Sequence, residues 1–174
     1  MVPELRWKIE MKHPRYGRDL GLDWIWPDRT QDKLAGANFP TVSPEILLLL
    51  LCVHGYKHIW SRLIWICDVS QLLTSHPDLA WAVVLRQATD SGLERPLAIG
   101  LLLAHQTAGA LVPERVLCRF ASDRSASGLA KLVRDGLFLR PGLRPSSFGR
   151  WKAVAERLQP NWDKVRGITS THCN

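Results

Sequence analysis

The sequence predicts a mainly α-helical protein, a multi-helix bundle preceded by a short N-terminal β-strand or hairpin. Three observations predict it. From residue 43 to residue 139, apolar residues recur at helical spacing. Helix-starting and helix-stopping residues punctuate that stretch at Ser43, Pro77, Gly92, Pro96 and Pro113. Only Glu4-Leu5-Arg6-Trp7-Lys8-Ile9 alternates with the two-residue period of a strand. A chain of 174 residues is long enough for one sizeable core, and 46% apolar with 22% charged residues excludes a disordered polymer.

In chain order, Leu5, Trp7 and Ile9 would share one face of the first strand. A strand needs a neighbour, and Leu20–Trp26 is a weak candidate for one, so the open edge points to a sheet or partner elsewhere. Residues 12–42, rich in Pro, Gly, Asp and Arg, read as a long connection that Trp24 and Trp26 anchor onto the core.

Ser43-Pro44-Glu45 is a strong helix start: a capping hydroxyl, a ring suited to the first helical position and an acid at the positive end of the dipole. Leu47–Leu51 is apolar on all sides, which predicts a central, surrounded helix. Gly55 is the expected break, with the pattern resuming over Trp60–Leu73. Asp78 is the expected cap of a helix carrying Trp81, Val84, Leu85 and Ala88, stopped by Gly92. Glu94-Arg95-Pro96 opens the next, and shorter helices are expected at 114–121 and 125–139. Trp151, Val154, Ala155 and Leu158 predict one last amphipathic turn set. The expected organisation is 1–42, strand and connection; 43–140, helical domain; 141–174, basic helix and tail.

No apolar run approaches the ~20 residues that span a bilayer, and the first residues show no signal-peptide core. Cys52, Cys67, Cys118 and Cys173 are scattered without a CxxC pair, which suits a reduced, cytoplasmic protein without disulfides or a cysteine metal site. Charge is uneven. Residues 1–113 carry 11 Lys and Arg against 11 Asp and Glu, whereas residues 114–174 carry 12 against 5, so the whole net charge of +7 sits there. That end would attract an anionic partner, or simply form a solvated basic surface.

Chemistry concentrates in Ser43–Leu73. At ~100° per residue on a continuous helix, His54, Lys57, His58, Arg62, Trp65 and Asp68 fall in one sector about 140° wide, away from Ile59, Leu63 and Ile66. His54 and His58 have the i, i+4 spacing of paired imidazole ligands. Asp68, however, would lie about 15 Å beyond His58 on a straight helix, and no HExxH accompanies the pair. A metal site is therefore not expected. No Ser or Cys sits in a nucleophile elbow. Two readings stand. Lys57, His58 and Arg62 contact a phosphate or carboxylate, or His54 and Asp68 are buried hydrogen-bonding residues tying helices together.

The run TVSPEILLLLLCVHGYKHIWSRLIWICDVSQLL, residues 41–73, resembles the uncharacterised nucleotidyltransferase family. The likeness is carried by Ser43-Pro44-Glu45, by the His54-Gly55 and Lys57-His58 pairs, and by Trp60, Arg62, Trp65 and Asp68. Residues 78–104 resemble its next helices. Glu4–Ile9 looks like a family strand, with Arg6 where histidine is usual. The resemblance covers roughly residues 3–115. It implies an α+β palm followed by a helical domain, with Mg2+ and NTP held by a GS motif, a DxD carboxylate pair and a third acid on a later strand. No Gly-Ser followed by DxD exists in this chain, and Asp19 and Asp23 are too far apart for the pair. By position Glu4 corresponds to the third acid, and His54, Lys57, His58, Arg62 and Asp68 would contact substrate. The resemblance thus implies a C-terminal part, inactive alone and binding no Mg2+ or NTP by itself. Its partner would be a separate chain carrying the palm. The rival is a non-catalytic helical interaction module for a protein or an anionic ligand. A non-functional remnant is a third reading.

Overall fold

The computed structural model describes residues 8–9, 20–21 and 29–137. Glu4, the anchors Trp24 and Trp26, and the helix and tail expected over 141–174 lie outside the described residues. Two short ladders precede the helices. β1 (Lys8–Ile9) pairs antiparallel with β2 (Leu20–Gly21), in the register Lys8 to Gly21 and Ile9 to Leu20. The neighbour at Leu20 is therefore real, though brief.

β3 (Arg29–Leu34) and β4 (Ala37–Val42) form a second antiparallel hairpin, from Arg29 opposite Val42 to Leu34 opposite Ala37. Here the expected long connection is corrected. Ala35 and Gly36, with φ of 50° and 84°, supply the paired left-handed residues that a tight hairpin turn requires. The strands escaped notice because Thr30, Gln31, Asp32 and Lys33 are all exposed and polar, with no buried face to impose alternation. Pro40, which has no N–H, also argued against a strand.

β4 runs directly into α1 (Pro44–Lys57). Ser43 caps it as expected, its Oγ accepting from the Ile46 N–H at 3.4 Å. Glu45 has a further use: its Oε1 accepts from the Ala80 N–H at 3.1 Å. Ala80, and not Asp78, is the residue that precedes α3, and no side chain caps that helix from within. The carboxylate of a distant helix takes that place.

α1 ends at Lys57, and α2 (Leu63–Ser75) follows a reversal over 58–62. Gly55 is not the break. It stays helical, and its missing side chain is used for close approach: a Cβ there would stand 2.5 Å from the Trp60 ring. The turn is made instead by Ile59 and Trp60, both left-handed at φ 55° and 48°. α3 (Trp81–Ser91) and α4 (Glu94–Ala108) both stop at left-handed glycines, Gly92 and Gly109. α5 (Glu114–Ala121) and α6 (Arg124–Leu137) complete the described helices, close to the expected spans. Asp123 caps α6, its Oδ1 accepting from Ser125 and Ala126 N–H at 2.9 and 3.2 Å.

The central helix is α4 and not α1. Every residue from Arg95 to Ala104 is buried, and α4 packs against all five other helices. α1 turns Leu48, Leu49, Cys52 and Val53 inward and leaves Leu47 and Leu51 half-buried. An all-leucine run says that a helix is greasy, not how many neighbours it has. Gly100 tips the balance: with no side chain on α4, Cys52 of α1 comes close, and a Cβ there would lie 2.5 Å from its Sγ. Ala126, Leu129, Ala130 and Val133 of α6, with Val116 and Phe120 of α5, belong to the same core. At about 1.5–3 kcal/mol for each fully buried large aliphatic side chain, this shared core outweighs any one surface contact. Among the described residues no helix is long and apolar enough to cross a membrane.

Candidate functional site

The polar residues singled out in the sequence gather at the α1–α2 reversal. His54 sits exposed in the last turn of α1, followed by exposed Lys57 and half-buried His58, which closes the helix with its N–H on the His54 carbonyl at 3.2 Å. Arg62 is the exposed residue immediately before α2, and Trp65 and Asp68 lie half-buried in its first turns. The basic residues His54 and Lys57 thus lie in the last turn of α1, at the negative end of its dipole.

Three rings meet here. His54 and His58 have centroids 4.8 Å apart with planes at 55°. Trp65 stands edge-on to His54 at 5.3 Å and 87°, and tilted against His58 at 5.2 Å and 36°. The stripe expected on one continuous helix is therefore corrected in its cause. His54 and His58 do share a face of α1, but Trp65 arrives from the next helix because the chain folds back.

The electrostatics follow from that crowding. Burial first, then the neighbouring His54 and Lys57, hold the His58 imidazole below its ordinary pKa. Its neutral form, one donor and one acceptor, is favoured. Among the described residues neither Lys57 nor Arg62 is engaged in an ion pair. Both cations are available to an anion. Asp68 points to a more modest role: no ring or ion-pair contact joins it to the histidines among the described residues.

The reversal removes the straight-helix objection to one ion joining His54, His58 and Asp68. Even so, no three His, Cys, Asp or Glu side chains converge as a metal would require, among the described residues. These residues do not fit a two-metal carboxylate centre, and no step through Mg2+ is derived from them. Cys52 is no nucleophile either, since complete burial pushes its thiol far above the ordinary range.

Two features escaped the sequence reading. Trp60 was matched but given no role, although Gly55 four residues before Ile59 was a signal of close approach. Arg95, read only as part of a helix start, is buried with its Nη2 3.9 Å from the Asp123 carboxylate, which joins α4 to the cap of α6.

No curated protein and no solved structure matches the chain. The family model described as uncharacterised nucleotidyltransferase matches residues 3–109, from before β1 to the glycine that stops α4. Covering well over half of the sequence, that match includes the ring cluster and both flanking cations. The chain belongs to the uncharacterised nucleotidyltransferase family.

Proposed function

We propose that the helices form the substrate-contacting part of a nucleotidyltransferase-like protein, with the α1–α2 reversal facing a nucleotide or another phosphate-bearing substrate. The observation that supports this is the meeting of three rings at a reversal that also carries two cations, neither in an ion pair among the described residues. Lys57 and Arg62 would take phosphate oxygens, the second with a planar fork that matches them. Neutral His58 would donate or accept one hydrogen bond, and Trp65 with His54 would flank it. Asp68 would orient this face from α2.

The metal-holding carboxylates would come from other residues, because no Gly-Ser followed by DxD occurs in these 174 residues. Glu4 would serve as the third acid beside a palm on another segment or a separate chain. By itself the chain should then transfer no nucleotide. Incubation with labelled NTPs and magnesium should leave every acceptor unlabelled, and robust labelling would overturn this part. Nucleotide binding is a separate measurement. Removing one charged hydrogen-bond donor costs about 1.5–3 kcal/mol, so Lys57→Ala and Arg62→Ala should each weaken binding tenfold or more. Unchanged affinity in both variants would refute the assignment.

A second reading has its own support. Leu63 and Ile64, beside Arg62, are 45% and 57% exposed, which suits a helical module that docks a partner protein. Ile64→Asp would abolish such docking and leave nucleotide affinity unchanged. An anionic partner taken by residues 114–174 would instead show steep salt dependence.

A further inference from the structure

Trp60 is the most deeply buried aromatic side chain described, 1% exposed, and it sits on left-handed backbone at φ 48°. It and Ile59 are consecutive left-handed residues, and a β-branched isoleucine is especially ill-suited to that conformation. Such backbone persists only where the surroundings over-determine it. What determines it here is a slot between α1 and α4. A Cβ at Gly55 would stand 2.5 Å from Cε3 and Cζ3 of the indole, and a Cβ at Gly100 would stand 3.1 and 3.2 Å from Cζ2 and Cη2. The ring is thus gripped by two glycines on two helices. Its backbone N–H closes the reversal on the Gly55 carbonyl at 2.7 Å, while Ile59 and Ser61 N–H reach the Tyr56 and His58 carbonyls at 3.0 and 3.2 Å. Its buried Nε1 has no hydrogen-bond partner among the described residues, so shape and not hydrogen bonding accounts for the choice of ring.

We infer that Trp60 is the positioning residue of the His54–His58–Trp65 cluster. By locking into the Gly55–Gly100 slot it fixes the chain reversal that carries Trp65 back onto the two histidines. Trp60 is buried away from the surface and acts through the path of residues 58–62. Its functional meaning rests on the reading of this cluster as the contact face. The ring geometry itself is measured on the ligand-free chain, so the two ideas fail separately.

The test is NMR of the histidine side chains in the full-length, isotope-labelled protein. Trp65 should displace the His54 and His58 ring-proton signals through its ring current, and Trp65→Leu identifies that displacement. In Trp60→Ala the displacement should vanish and the His58 pKa should rise toward its ordinary value. Trp60→Phe should restore both. Where Trp60→Ala does not fold, Gly55→Ala, which forces the indole out of its slot, should give the same two losses. A merely structural Trp60 would lower the melting temperature and leave the histidine signals unchanged. That result in a folded Trp60→Ala or Gly55→Ala protein overturns the inference, as does failure of Trp60→Phe to restore the signals. Loss of the signals in the variants of a protein that binds no nucleotide would sink only the contact-face reading.

Discussion

Gly100→Ala is a single added methyl at the most crowded point of the core. On an ordinary helix the change would stabilise by about 1 kcal/mol through propensity. Here the new Cβ would meet Cys52 Sγ at 2.5 Å and two atoms of the Trp60 ring at 3.1 and 3.2 Å. Cys52 is fully buried, so its sulfur has nowhere to swing. Overpacking of this kind costs about 1–3 kcal/mol, and the net loss should be about 0–2 kcal/mol after the propensity gain. Cys52→Ala alone removes the buried sulfur and should cost about 1–2 kcal/mol through lost contacts and a small void. In the double variant the new methyl fills the space that the sulfur left. The two changes should therefore cost less together than their sum, with a coupling of about 1 kcal/mol or more. Urea unfolding of the four proteins, followed by circular dichroism, measures all the terms. Additivity to within about 0.5 kcal/mol, or a net stabilisation by Gly100→Ala alone, would refute the packing argument.

Three other outcomes follow from the described contacts. Because the folded-state pKa of His58 is lowered, the unfolded chain takes up its proton first. Stability should be full above the ordinary imidazole pKa and fall as pH drops through the lowered value, and His58→Gln should flatten that part of a Tm-against-pH curve. Glu45→Ala should cost about 1 kcal/mol by removing the bond to the Ala80 N–H. Glu45→Gln, which keeps an acceptor, should cost less, and equal losses in thermal melts would count against the bond. Asp123→Ala removes both the α6 cap and the carboxylate facing buried Arg95, and should cost about 2–3 kcal/mol. Asp123→Asn keeps the cap and should recover about 1 kcal/mol of that loss in denaturant unfolding.

The helices were legible where local chemistry decides them. Ser43-Pro44-Glu45 starts α1 with its own side chains, and Gly92 and Gly109 stop α3 and α4 in the left-handed conformation only glycine adopts cheaply. What depends on distant partners was not legible. Asp78 looked like the cap of α3, but the group on the Ala80 N–H comes from Glu45, 35 residues earlier. In β3, Thr30 to Lys33 are all exposed and leave no apolar period. Ile59 and Trp60 carry no sequence sign of a left-handed turn, because the force that bends them belongs to Gly55 and Gly100. The site was half legible. The i, i+4 spacing of His54 and His58 is local and held, whereas Trp65 joined them by a reversal that no wheel contains.

The family match stops at residue 109, yet α4, which ends there, is buried partly by α5 and α6. What is inherited as a recognisable pattern is thus shorter than what must fold together. A piece cut at the edge of similarity would bare the flank of its own central helix and lose Asp123 from beside Arg95. For anyone expressing this helical region, the boundary should fall no earlier than the end of α6, a limit set by packing and not by kinship.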